Sequence, residues 1–437
     1  VLGASPQGAP QDDVGDRIAL MPKVLHVLSQ RPSLTGSGVT LVELARHAEA
    51  AGWEQMAVIG VPAEAPRPKV GVLGADRVRP LAFGHGDLDF PIPGMSDVMP
   101  YPSSRFSELS KPELTAYREA WLRHLESVLT ECRPDLIHSH HVWLVSSWLK
   151  DVAPDIRVVT HSHGTGLRQL ELCPHLAEEV RQGNSRNDRF LALHQDNQVA
   201  IVDALGLDGG ATTSPPPAEE RVQVVGAGFA EQIFRLDRDV EGRAGRLLYV
   251  GKYSASKGLP SLLEAVEGLL SKHSGLELHV AGSGAGNEAE ALQERMVEMA
   301  PAVVLHGQLS QPELAALMNT CAVCILPSFY EGLPLVLAEA YACGCQLVAT
   351  ALPGVEKHLA PSLGEDLELV RLPRMTGVDT PFDEDMPAFV EALGEAIDVA
   401  LRKSVKPVPK EVRSEALGPF TWRAVFSRVE RVWVDLL

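Results

Sequence analysis

Two glutamates, Glu331 and Glu339, stand with seven residues between them in an otherwise apolar run, SFYEGLPLVLAEAYACG at 328–344. A carboxylate among apolar side chains is costly unless strong hydrogen bonds compensate it. The preceding ILPS reads as a strand end, FYEG as a loop, and Pro334 as the first residue of a helix. Glu331 then precedes that helix and Glu339 lies inside it. Eight helical residues span about 12 Å, so the two cannot share one proton as an acid/base pair. They suit two separate parts of one elongated ligand, with the helix start over Gly332, Leu333, Pro334 and Leu335 between them. A sugar or ribose diol offers the two hydroxyl donors each carboxylate needs. The competing reading is a capping Glu331 and a salt-bridged Glu339.

Other candidate groups fall at similar places. In GKYSASKGLPSLLEAV (251–266), Lys252 and Lys257 sit on a loop between a strand and a helix, an arrangement suited to a diphosphate; solvated loop lysines are the alternative. PSLTGSGVTLVELA (32–45) places Gly36 and Gly38 immediately before a helix, where glycine lets the backbone approach a ligand. It is neither a complete G-x-G-x-x-G nor a Walker loop. Histidines cluster in HSHH (138–141) and THSH (160–163), both at the carboxyl ends of expected parallel strands. Alternation puts His138 with His140, and His161 with His163. A metal centre is one reading, weighed against the lack of an H-E-x-x-H spacing or a paired carboxylate; a substrate or catalytic role for one histidine is the other. The pairs Cys321/Cys324 and Cys343/Cys345 lack a zinc-ribbon knuckle and read as buried small apolar residues. No metal site is expected.

These groups need a frame. From residue 22 short β runs alternate with helical stretches: KVLHVL, QMAVIGV, DLIHSH, IRVVTHSH and RVQVVGAG are strands, and 61–104 is irregular and proline-dotted. Around 234–246 the alternation pauses in a charged linker and starts afresh with RLLYVG, LELHVAGSG, AVVLHG, AVCILPS and QLVAT. The expectation is an α/β protein with two Rossmann-like, doubly wound parallel-sheet domains, residues 22–236 and 237–415, whose ligand lies in the cleft between them. Residues 416–437 form a last helix that must bury Trp422, Phe426 and Trp433. Residues 1–21 read as a disordered leader without signal-peptide character, and Met21 as a plausible native start.

Bulk properties narrow the classes. The 437 residues are 45% hydrophobic and 22% charged, with a formal net charge of −18. That charge opposes non-specific binding to nucleic acid or anionic membrane. No apolar run reaches the roughly 20 residues of a membrane span. Six cysteines in apolar contexts fit a reducing cytoplasm.

The run LPSFYEGLPLVLAEAYACGCQLVAT resembles the E-x7-E signature of the retaining glycosyltransferases of family 4, which have the GT-B fold. YVGKYSASKG is similar to that family's phosphate-binding loop, TGSGVTLVELARHAEAAG to its glycine-bearing loop, and VVTHSHGT to the strand end carrying its catalytic histidine. The resemblance spans nearly the whole chain from about residue 22 and is strongest over 247–356. It implies metal-independent transfer of a hexosyl group from a nucleotide diphosphate sugar, a UDP-sugar first with guanine and adenine left open, to a hydroxyl acceptor. It requires no cofactor besides that donor substrate. The acceptor is left open among lipid, glycan and small molecule, as is peripheral membrane contact. By the same resemblance Lys252 and Lys257 hold the diphosphate, Glu339 the ribose, and Glu331 the transferred sugar. Gly36 and Gly38 approach the phosphate or sugar, and His163, or else His161, meets the donor sugar. Catalytic roles thus fall to His163, Glu331 and Lys257. The last helix crosses back to the first domain. The family commonly has arginine at Lys252, so a bidentate fork is lost here. A nucleotide-sugar epimerase and a non-catalytic sugar-nucleotide binder are the alternative functions.

Overall fold

A computed structural model describes residues 21–32, 35–64, 69–96, 99, 101–207, 218–237, 244–406 and 408–437. Residues 1–20 of the leader expected over 1–21, and residues 238–243 within the linker expected at 234–246, lie outside the described residues.

The strands are β1 (Lys23–Leu28), β2 (Glu54–Pro62), β3 (Val78–Phe83), β4 (Pro93–Gly94), β5 (Ser104–Arg105), β6 (Leu136–His140), β7 (Arg157–His161), β8 (Arg189–Ala192) and β9 (Val222–Val224) in the first half. The second half holds β10 (Arg246–Val250), β11 (Glu277–Ala281), β12 (Val303–Gly307), β13 (Val323–Leu326), β14 (Gln346–Thr350) and β15 (Leu367–Val370). A seven-stranded parallel sheet runs β3-β2-β1-β6-β7-β8-β9, and a six-stranded one β12-β11-β10-β13-β14-β15. In each, the order reverses beside the first strand of the unit, which opens a crevice at the carboxyl ends of the strands.

Alternating side chains give the first sheet two different faces. Leu25, Val27, Val58, Ile137 and Val158 meet Trp121, Leu125, Trp148 and Val180 on one side. On the other, Val24, Leu136, Val159 and Leu191 meet the C-terminal helix, Trp422–Leu436, through Trp422, Val425, Phe426, Val429 and Trp433. The last helix of the chain therefore closes the core of the first sheet, and Trp53 Nε1 ties to it by donating to Glu430 at 2.9 Å.

Three expectations need correction. The stretch 61–104 is not wholly irregular: β3 lies in it as the edge strand, where Pro80 is tolerated because an edge strand carries one unpaired side. Gly36 and Gly38 do not precede the first helix but form its first turn, Gly36–Ala50, because Thr35 takes the capping position and accepts from the Gly38 amide at 3.1 Å. Pro334 likewise stands one place before the helix Leu335–Ala342, as its capping residue.

Candidate functional site

The site begins with two loops of the second domain that interlock. The loop after β10 carries Lys252 and, in a 3-10 turn, Lys257; the loop after β13 carries Ser328 to Pro334. The Phe329 amide donates to the Ser256 carbonyl at 2.9 Å. Gly258 closes the fit. Its φ is +69°, and a Cβ there would lie 2.0 Å from the Pro327 carbonyl oxygen, so a side chain has neither the backbone conformation nor the room.

This interlock brings Lys257 to the turn of Glu331. Lys257 Nζ donates to Glu331 Oε1 at 2.7 Å and lies 3.4 Å from the Tyr330 carbonyl oxygen. Ser328 Oγ donates to the same Oε1 at 2.8 Å. One carboxylate oxygen is thus doubly engaged, while Oε2 has no partner among the described residues. An ammonium has three N–H donors, so Lys257 keeps one in reserve. Lys252 makes no ion pair among the described residues. Partial desolvation, then the positive charges of Lys257 and Arg168, hold it below the usual lysine range.

Glu339 lies inside the helix Leu335–Ala342 and, unlike Glu331, has no ion pair among the described residues. Burial pushes its carboxyl up to about 7. Behind it, buried Arg413 donates to the carbonyl oxygens of Tyr341 at 2.8 Å, Cys345 at 3.0 Å and Gly344 at 3.2 Å. That cation sits on the helix's C-terminal carbonyls, where the dipole is negative. Of the two assignments in the competing reading, the salt bridge belongs to Glu331, not to Glu339.

The first domain contributes histidines. His163 lies just beyond β7; its Nε2 is 3.0 Å from His140 Nδ1, and its ring stacks on His161 with centroids 4.8 Å apart. Burial first, then His161, His141 and His138, keep its pKa well below the ordinary imidazole value, so the ring is neutral at pH 7. It can exchange hydrogen bonds with a hydroxyl but brings no charge. Gly36, at the start of the first helix, has nothing within 4 Å of the position a Cβ would take.

The two domains touch beside these groups. The Gln195 amide donates to His358 Nε2 at 3.3 Å, Lys357 pairs with Asp196, and Leu193 Cδ1 lies 3.7 Å from the Cβ position of Gly332. Lys257, Glu331 and the turn through Gly332, Leu333 and Pro334 are brought together directly. Leu335 and Glu339 follow on the adjoining helix. His161 and His163 form a separate group in the first domain, with Gly36 and Gly38 on another element of that domain.

Sequence reading missed Ser328, Arg168, Arg413 and the bond that Trp433 Nε1 donates to His138 Nδ1 at 2.9 Å. Ser328 was inside the quoted run and could have been noticed as a donor three residues before Glu331; the others depend on folding and left no local signal. A crevice of about 560 Å³ between Arg118, Trp148, Asp151, Glu179 and Arg186 is elsewhere, and its charges pair with one another.

Comparison with known proteins adds lineage to this geometry. A family model described as "Glycosyl transferases group 1" matches residues 244–371. D-inositol 3-phosphate glycosyltransferase of Corynebacterium jeikeium (strain K411) is 30% identical over 360 residues, 76% of this chain and 80% of that protein. Glycogen synthase of Mycobacterium tuberculosis (strain ATCC 25618 / H37Rv) is 27% identical over 309 residues, 69% of each chain. Among solved structures, sucrose-phosphate synthase from Thermosynechococcus elongatus superposes with a TM-score of 0.67 at 17% identity, covering 95% of this chain and 99% of that one. Anabaena Alr3699/HepE in complex with UDP and glucose gives 0.63 at 15% identity, covering 95% and 100%. The paired parallel sheets are the GT-B fold.

Proposed function

The chain belongs to the group 1 glycosyl transferases, and from that premise we propose that it moves a hexosyl group from a nucleotide diphosphate sugar to a hydroxyl acceptor with retention of configuration. UDP-sugars are the first donors to test, since a solved neighbour was crystallised with UDP and glucose. The observation that carries the reading is the Lys257–Glu331 pair at 2.7 Å, in which each partner keeps a free hydrogen-bonding position.

Leaving-group departure is the electrostatic problem: negative charge grows on the diphosphate while positive charge grows at the anomeric carbon. Lys252 and the free N–H of Lys257 would hold the diphosphate, together with the amides at the start of the helix Leu335–Ala342. Glu331 Oε2 would accept from a hydroxyl of the transferred sugar while Oε1 stays anchored on Lys257 and Ser328. Glu339 would accept from the ribose diol. Neutral His163, braced by His140, would meet a hydroxyl of the donor sugar near the reacting carbon. Gly36 and Gly38 would give the backbone close access to the phosphate or sugar. Proton transfer to the departing phosphate needs no protein base, and the grip on the diphosphate needs no metal. The surroundings of His163 favour neutral hydrogen bonding over cationic assistance.

A donor screen by thermal shift, followed by product analysis with and without acceptors, tests this. Stabilisation by a sugar nucleotide that Lys257→Ala abolishes and Cys345→Ala preserves is the expected result. A product linked with the donor's anomeric configuration completes it. Alteration of the sugar nucleotide without acceptor would replace the reading with epimerisation, and equal loss of the shift in both variants would remove the lysine assignment.

A further inference from the structure

Strands buried on both faces of a parallel sheet ordinarily read as runs of Val, Ile and Leu. On the face beneath the C-terminal helix this chain departs from that rule. His26 on β1 is in register with His138 on β6, and His140 on β6 with His161 on β7. All four are at most 2% exposed. His138 Nε2, His140 Nε2 and both ring nitrogens of His161 have no hydrogen-bond partner among the described residues. Each such buried polar atom costs roughly 1–3 kcal/mol, so a cluster of them asks for an occupant that satisfies several at once.

His138, His140 and His161 can each point one ligand nitrogen into a common space, all within 4.8 Å of one another. Their ring centroids are 5.0, 5.5 and 6.0 Å apart. Three imidazoles on one tetrahedral ion hold their nitrogens about 2.0–2.1 Å from it, so an inward shift of about an ångström completes the triangle. No carboxylate belongs to the group, which disfavours Ca²⁺ and Mg²⁺ and favours Zn²⁺ or its borderline neighbours. We propose that His138, His140 and His161 form a transition-metal site, with Zn²⁺ the first ion to test, inside the first domain and separate from the lysine grip on the diphosphate.

The outer contacts say how such a site would work. A ligating histidine donates its remaining N–H outward. His140 is ready for this: with Nε2 on the ion, Nδ1–H donates to His163 Nε2, 3.0 Å away. His138 is not ready. The indole of Trp433 can only donate, and it donates to His138 Nδ1 at 2.9 Å, so the ring's one proton sits on Nε2. Binding moves that proton to Nδ1, with no net gain or loss, and breaks the Trp433 bond. The ion therefore competes with the C-terminal helix for His138, and its arrival commits His163 to accept at Nε2.

The test uses the full chain stripped with chelator, with Co²⁺ as visible probe and Zn²⁺ as competitor. One equivalent of Co²⁺ with tetrahedral absorption, displaced by Zn²⁺, is expected. X-ray absorption of the zinc form should show at least three nitrogen neighbours at about 2.0–2.1 Å. His161→Gln disturbs no existing hydrogen bond and should weaken binding by at least about a hundredfold, since losing an outer partner alone costs roughly 10–100-fold. His279→Gln, in the half-buried His279–His306 pair of the second domain, should change nothing. Trp433→Phe should tighten binding about five- to tenfold by removing the bond that must break. No stoichiometric uptake by the wild-type chain, or unchanged uptake in a folded His161→Gln, overturns the site. Weaker binding in Trp433→Phe overturns the exchange of tautomers. Should His161→Gln not fold, the wild-type absorption spectrum decides alone.

Discussion

The turn around Glu331 and the histidine patch beneath the C-terminal helix are both polar, and they handle polarity in opposite ways. At the turn the groups are charged and partly exposed, and Lys257 and Glu331 pair, yet capacity is left over: Glu331 Oε2, one N–H of Lys257, and Lys252, which has no ion pair among the described residues. In the patch the groups are neutral, fully buried and short of partners. Burying a charge costs far more than burying a neutral imidazole, so the charges stay where solvent and each other can compensate them. A molecule of net charge −18 thereby keeps a small cationic spot for an anion without placing an uncompensated cation in a core.

Glu331→Ala separates the two jobs of the pair and has the largest expected effect. Lys257 loses its carboxylate and becomes fully available to phosphate, so binding of the nucleoside diphosphate alone should hold or tighten. Transfer loses the sugar contact, and kcat should fall by about 10²–10³, the range seen when one preorganised group facing the transition state is removed. Calorimetry with the diphosphate and steady-state kinetics with the intact donor read the two effects independently. Weakened diphosphate binding together with unchanged kcat would reverse the roles assigned to the pair.

Gly258→Ala attacks the interlock without touching a charge. The added Cβ meets the Pro327 carbonyl at 2.0 Å in a backbone conformation of φ +69°, and the cost should be about 2–3 kcal/mol or more. Thermal and denaturant unfolding measure it, and donor affinity should fall alongside because the loops of Lys257 and Glu331 part. An unperturbed midpoint with full donor binding would show that the lysine loop seats itself without this contact.

Much of the frame was readable because its cause is local. The runs KVLHVL, RLLYVG and QLVAT alternate or stay apolar as buried parallel strands must, and each lies in a sheet. β3 escaped because VRPLAF carries a proline and edge strands obey weaker rules. Helix starts were off by three residues at the first helix, which opens at Gly36 and not after Gly38, and by one at Pro334, because capping chemistry, not hydrophobic period, sets the boundary. In the site, residue types were readable and partners were not. Lys257 meets Glu331 across 74 residues and Trp433 meets His138 across 295. No local pattern encodes either contact, because each needs two finished elements to pack first.

Glu339 sharpens the comparison from within the second domain, since it is a half-buried carboxylate there with no ion pair among the described residues. Desolvation raises it from 4.5 to about 7. A raised carboxyl favours the protonated fold: its contribution to stability is full below about pH 4.5 and is lost as pH rises through about 7. Binding has the opposite sign, because a ribose diol donates best to the ionised form. Donor affinity should therefore climb as pH rises to about 7 and level off above it, with proton release on binding on the acid side. Glu339→Gln keeps the shape and one acceptor oxygen while abolishing the ionisation. It should lower affinity at pH 8 by about tenfold, the value of one charge-assisted hydrogen bond, and flatten the slope between pH 5.5 and about 7. Isothermal titration in buffers of different ionisation enthalpy counts the released proton directly. If the slope persists in Glu339→Gln, the titrating group is the donor phosphate or another side chain, and the ribose must be held elsewhere.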